Sequence, residues 1–200
     1  DMIVENLSAC RERAYLPYAL CAWEGLDDSL IGDASAPGTA EETLSYIPGS
    51  VPDWFTAQSA LSVRQRGADV QAFLELEADY RAYAEANYLA LPDEAAAAIG
   101  RALDLPAEKR TLSQIKDIIL QTLESCLTYS ESVVSYTGDT DFLTYALERS
   151  GSGYSVHYAT AAALMLRYFG VPARYVEGYF LSAEEAGRYA AGERIVLTER

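Results

Sequence analysis

The sequence predicts an α+β protein, β-rich at its start, helical through its middle, and closing on a central helix laid against a sheet. Three observations carry this prediction. The first fifty residues break into short runs of β-branched and aromatic residues separated by Gly, Pro, Asp and Ser. Between residues 69 and 127 apolar side chains recur at spacings of three and four. From Gly151 a glycine-bearing loop leads into a helix of small residues, a glycine stop and an alternating segment. The expected divisions are a β-rich accessory region over 1–52, a helical segment over 53–110 and a core over 111–200.

Composition bounds what such a chain does. Two hundred residues, half of them apolar, suffice for a buried core. A formal net charge of −15 argues against nucleic acid and anionic membrane surfaces as partners, since both select a basic footprint. The fifteen tyrosines are scattered and form no basic-aromatic platform. The three cysteines lack paired metal spacing and His157 is the sole histidine, so no protein-held zinc or iron–sulfur site and no cofactor is expected. Cys10 and Cys21 are spaced to bridge neighbouring strands in an oxidising compartment, and the odd count leaves the compartment open. No apolar run reaches the roughly 18 residues of a membrane span. The chain opens on Asp1 rather than Met, without the basic and apolar blocks of a signal peptide, and is expected to be a piece of a longer protein.

Taken in order, Met2–Leu7, Arg13–Cys21 and Thr43–Ile47 read as strands, the second an edge strand because of Pro17. Glu24–Ser29 and Asp33–Gly38 carry turn residues. After Pro52 and Asp53 the pattern turns helical. Asp69 is placed to cap a helix bearing Val70, Phe73, Leu74, Glu77, Tyr80, Tyr83, Ala84 and Asn87, which ends before Leu91 and Pro92. Asp93 opens an alanine-rich helix that stops at or soon after Gly100. Thr111 caps a helix whose stripe of Ile115, Ile118, Ile119, Thr122, Leu123 and Cys126 is core-facing. Residues 128–140 read as a loop, followed by a short helix with Phe142, Leu143 and Leu147, capped by Asp139 or Thr140.

The stretch from Gly151 carries the chemistry. Gly151 and Gly153 permit a tight turn before a helix that starts near Tyr154. A side chain in that first turn faces unpaired N–H groups and the positive end of the helix dipole. Such groups stabilise an anionic nucleophile or a developing oxyanion. Ser155 stands there, but a serine hydroxyl stays protonated without an adjacent base. Gly170 can end the helix and Pro172 blocks its resumption, after which Ala173–Leu181 alternates as a strand does.

Gly153-Tyr-Ser-Val-His-Tyr-Ala159, followed by Leu164-Met-Leu-Arg-Tyr-Phe-Gly-Val-Pro-Ala-Arg-Tyr-Val-Glu-Gly-Tyr179, resembles the nucleophile segment of bacterial transglutaminase-like domains. That family belongs to the papain-like cysteine-peptidase fold group, and the similarity covers residues 140–182. Ile3–Leu7, Tyr15–Tyr18, Tyr46–Gly49 and Asn87–Pro92 are also similar to the extracytoplasmic region of membrane-anchored members. The resemblance implies that 111–200 is the nucleophile half of a papain/transglutaminase-like core. It also implies acyl transfer or hydrolysis at amide bonds of a protein or peptide through a Cys-His-Asp triad, in a parent protein held outside the cytoplasm.

Two departures follow. The family's cysteine stands at the position of Ser155, as an engineered replacement or the mark of a natural pseudoenzyme; the long retained motif favours the former. The family's histidine and aspartate lie on strands after the Gly178-Tyr179 segment, and are expected beyond Arg200. His157 does not replace the base, because two residues along a helix is a rotation of about 200°. Gly153, Tyr154 and His157 are the expected substrate or oxyanion region, Ser155 the nucleophile position, and the chain as given is expected to be inactive. The alternative is a non-catalytic module that binds a peptide or cell-wall fragment. Gly153-Tyr-Ser-Val-His157 also resembles a hydrolase nucleophile elbow, but no apolar strand precedes it and no histidine follows.

Overall fold

The computed structural model of the chain describes residues 2–10, 15–16, 20–24, 30–31, 34–35, 43–48, 68–105, 110–133, 136, 138 and 140–198. Pro17, the expected turn at 25–29, Pro52, Asp53 and Asp139 lie outside them. The chain divides into two compact units, residues 1–70 with 178–200, and residues 71–177. Helices and small sheets are both present, as the α+β expectation requires.

In the first unit, β1 (Met2–Glu5), β5 (Thr43–Pro48) and β2 (Leu20–Glu24) form an antiparallel sheet in the order β1-β5-β2. Met2 pairs with Tyr46 and Glu5 with Thr43, while Trp23 pairs with Tyr46 from the other side. The register of β2 shifts between Leu20 and Ala22, a bulge of the kind that bends an edge strand away from further pairing. β3 (Leu30–Ile31) and β4 (Ala34–Ser35) make a separate two-residue ladder. Two expectations are corrected here. The second strand runs over Leu20–Glu24 instead of Arg13–Cys21, with Tyr15 and Leu16 outside any ladder. Ala34 and Ser35, read as turn, are paired. Cys10 is an exposed free thiol. Arg194 pairs with Glu5, the rings of Tyr15 and Tyr179 lie 5.4 Å apart, and a short α6 (Ala183–Ala186) is capped by Ser182.

In the second unit, α1 (Ala68–Tyr88), α2 (Asp93–Leu103), α3 (Leu112–Cys126), α4 (Phe142–Tyr145) and α5 (Ser155–Tyr168) account for most residues. The core is Ile99 and Leu103 of α2, Ile115, Ile119 and Leu123 of α3, Leu143 and Leu147, and Ala161 and Met165 of α5. Ile115, Ile119, Thr122 and Leu123 are the buried part of the stripe read from the sequence. α2 runs three residues past Gly100 and ends at Asp104, which adopts φ 47°. Gly100 leaves room for Tyr168: a Cβ there would stand 3.4 Å from its hydroxyl.

α5 is buried on opposite sides, at Ala161 and Ala163, as a helix without a polar face must be. It packs on α2, α3 and the short strand β7 (Ser152–Gly153). Two further corrections concern what flanks it. Residues 128–140 are not all loop: β6 (Thr128–Tyr129) pairs in parallel with β7. Ala173–Leu181, expected as a strand, takes no regular secondary structure. Its alternation lacks a sheet to cover, for Val176 and Phe180 on one side and Tyr175 and Glu177 on the other are all exposed, and a strand is stabilised by pairing and by one buried face. Other bonds hold its first residues. Arg167 donates from Nε to the Ala173 carbonyl at 2.8 Å and from its terminal nitrogen to the Ala90 carbonyl at 2.9 Å. Ala173 N–H reaches the Tyr88 carbonyl at 3.1 Å.

Candidate active site

The loop before α5 is fixed from both ends. Asp141 caps α4, its carboxylate accepting from Thr144 N–H at 3.0 Å; this is the cap expected one or two residues earlier. A single π-helical turn, Ala146–Ser150, follows and stops at Gly151 with φ 59°, a left-handed conformation that glycine adopts without strain. The loop then lies along the chain leaving α3. Thr128 N–H donates to the Gly151 carbonyl and Ser130 N–H to the Gly153 carbonyl, both at 2.9 Å. Tyr158, one turn into α5, donates its hydroxyl to the Leu127 carbonyl at 2.8 Å. The start of α5 is thereby tied to the end of α3 by three hydrogen bonds.

Tyr154 is the N-cap of α5 and Ser155 its first residue, with an exposed side chain. A phenol oxygen lies too far along its ring to cap its own helix, so Tyr154 serves through its backbone: His157 N–H donates to its carbonyl at 2.9 Å. The amides of Ser155 and Val156, in the first turn, have no intrahelical acceptor and point out of the helix end. That end carries the positive pole of the helix dipole, the arrangement that favours an anion at the Ser155 position.

His157 does not face Ser155. Its Nδ1 accepts from Tyr154 N–H at 3.3 Å, which assigns the proton of the neutral ring to Nε2. Its ring stands edge-on to Tyr154 at 4.5 Å and lies 5.2 Å from Phe142. Gly153 is buried beneath it, and a Cβ at that position would come within 2.7 Å of the His157 Cβ. Gly153 is thus required by contact with His157, where the sequence offered only a tight turn. Gly153, Tyr154, Ser155 and His157 are brought together around one helix start, but no base is placed on the Ser155 hydroxyl among the described residues.

Sequence reasoning missed Phe142, Tyr158 and the pairing of Thr128–Ser130 with the loop. The spacing of Tyr154 and His157, N-cap and third helical residue, was the available signal for the His157 contact. The rings of Tyr129 and Tyr158 lie 6.4 Å apart, tilted to each other, beside the same loop. The Tyr175 hydroxyl donates to Glu177 at 2.7 Å, and that bond to a carboxylate raises the phenol above its ordinary titration range. Among the described residues no three His, Cys, Asp or Glu side chains gather to hold a metal ion. No described helix is long and apolar enough to cross a membrane.

The family model of the transglutaminase-like superfamily matches residues 97–196, half of the chain, and the whole of α3 through α5 falls inside the match. The chain belongs to this superfamily. No curated protein and no solved structure shows significant similarity to it.

Proposed function

We propose that the chain carries the nucleophile half of a papain-like transglutaminase core, with α5 its central helix and Ser155 at the nucleophile position. The observation that supports this most is the coincidence of the family match with an exposed first-turn residue on a helix whose leading amides are open. In a member with cysteine at that position, the thiolate attacks an amide carbonyl of a protein or peptide. The oxyanion that forms is met by the first-turn N–H, the amine leaves with a proton from that member's histidine, and the acyl-enzyme passes to another amine or to water. Ser155 lacks the acidity for the first step, and the one imidazole of the chain is engaged at Tyr154. As it stands the chain does not turn over. Incubation with glutamine-containing and peptide-amide substrates is expected to release neither ammonia nor amine; release above background in proportion to protein contradicts the proposal.

The same occupied imidazole favours a second reading, in which the chain retains a peptide or wall fragment without cleaving it. Peptide binding that survives unchanged in Ser155→Cys, with no thioester formed, supports that reading over the first. A position outside the cytoplasm, in a parent anchored by other segments, belongs to the proposal and rests on the resemblance of the N-terminal strands.

A further inference from the structure

Three of the described helices close their N-cap amide in one way, with a side chain from the third helical residue. Gln114 Oε1 accepts from Thr111 N–H at 3.0 Å, Glu185 Oε2 from Ser182 N–H at 3.3 Å, and His157 Nδ1 from Tyr154 N–H at 3.3 Å. At α3 and α6 the N-cap hydroxyl answers by accepting from the third residue's amide, at 3.3 and 3.1 Å. At α5 no hydroxyl enters the helix end. The acceptor also differs in charge. Glu185 places a carboxylate beside its helix start, whereas the His157 ring is neutral and is held by aromatic contacts with Tyr154 and Phe142 over the bare Cα of Gly153.

From this difference we propose that His157 is a positioning residue: it closes the Tyr154 amide with an uncharged acceptor, so that the Ser155 and Val156 amides stay directed at an anion on residue 155. The inference rests on the reading of Ser155 as the nucleophile position. A carboxylate in place of the imidazole closes the amide equally well, but its charge competes with the anion at the same helix end. An alanine leaves the amide open and lets the first turn fray. A glutamine restores the neutral acceptor, as it does at α3.

The test uses the whole chain with Ser155→Cys, so that the thiolate reports the anion. Alkylation by iodoacetamide is followed against pH at the peptide containing residue 155, in backgrounds with His157 intact, His157→Gln, His157→Glu and His157→Ala, each with a thermal melt. His157→Gln is expected to retain rate and melt. His157→Glu retains the melt but slows alkylation at neutral pH about two- to fivefold, the size of a charge effect at a helix terminus. His157→Ala lowers both. Hydrogen exchange at the Tyr154 amide of the unaltered chain provides a measurement independent of any variant, and protection is expected. Equal rates with Gln and Glu, or an unprotected Tyr154 amide, overturn the role of His157. A residue-155 thiol that titrates like free cysteine with His157 intact overturns the nucleophile reading instead, whatever the 157 variants do.

Discussion

The starts of α3 and α5 are built to nearly the same plan and differ in one group. At α3, Thr111 lends its hydroxyl to Gln114 N–H, and Gln114 returns its side chain to Thr111 N–H. At α5, His157 returns its side chain to Tyr154, but Tyr154 has only its carbonyl to offer. The first helix end closes its third amide with its own N-cap hydroxyl, as a purely structural terminus does. The second closes its third amide on the Tyr154 carbonyl alone and is held by the loop around it: Gly153 under the imidazole, Ser130 on the Gly153 carbonyl, Tyr158 on the end of α3. The α5 start brings no capping hydroxyl and draws more of its order from tertiary contacts.

The comparison is broken most forcefully from below, through the core that both helices share. Met165→Ala empties a fully buried position of α5 packed among α2 and α3 side chains. Denaturant unfolding should show a loss of about 2–5 kcal/mol, with both helix starts weakened together. Gly153→Ala acts on α5 alone, because the added Cβ meets His157 at 2.7 Å. The expected cost is about 1–3 kcal/mol, as for other overpacked sites, and amide shifts in a nuclear magnetic resonance spectrum should cluster at 153–158. Thr111→Ala is the converse, removing the hydroxyl cap of α3 at about 1 kcal/mol, with the spectrum around Ser155 unchanged. Smallest of all is Glu148→Gln, which breaks the 2.7 Å pair with Arg101 just before the Gly151 loop. That pair is largely solvent-exposed, so the melt should show a loss of at most about 1 kcal/mol.

What was legible in the sequence was local. The Thr111 cap, the Ile115–Leu123 stripe, the Gly170 stop with φ 76° and the pairing segments Met2–Glu5 and Thr43–Pro48 each announce themselves within a few residues. Ser155 was placed in the first turn of its helix for the same reason: two glycines and a run of small residues fix where the helix begins. The contacts that give this turn its character were not legible, because they join distant residues. β6 and β7 are two residues each and are strands only through one another. Alternation over Ala173–Leu181 promised a strand, yet alternation is a property of the side chains and a ladder needs a neighbour. The family resemblance supplied what periodicity lacked at Ser155, since no property of a lone serine distinguishes a nucleophile position from a surface residue.

The central claim is that the start of α5, which brings no capping hydroxyl, favours an anion more than the start of α3 does, and cysteine at the first helical residue of each reads this directly. Ser155→Cys and Leu112→Cys occupy equivalent positions, both exposed. Alkylation of each is followed against pH at its own peptide, which separates it from Cys10, Cys21 and Cys126. The residue-155 thiol should titrate below the ordinary cysteine value of about 8.5 and below the residue-112 thiol, whose helix end Thr111 already caps. Equal titration of the two thiols, or a residue-155 thiol at or above the ordinary value, would contradict the account.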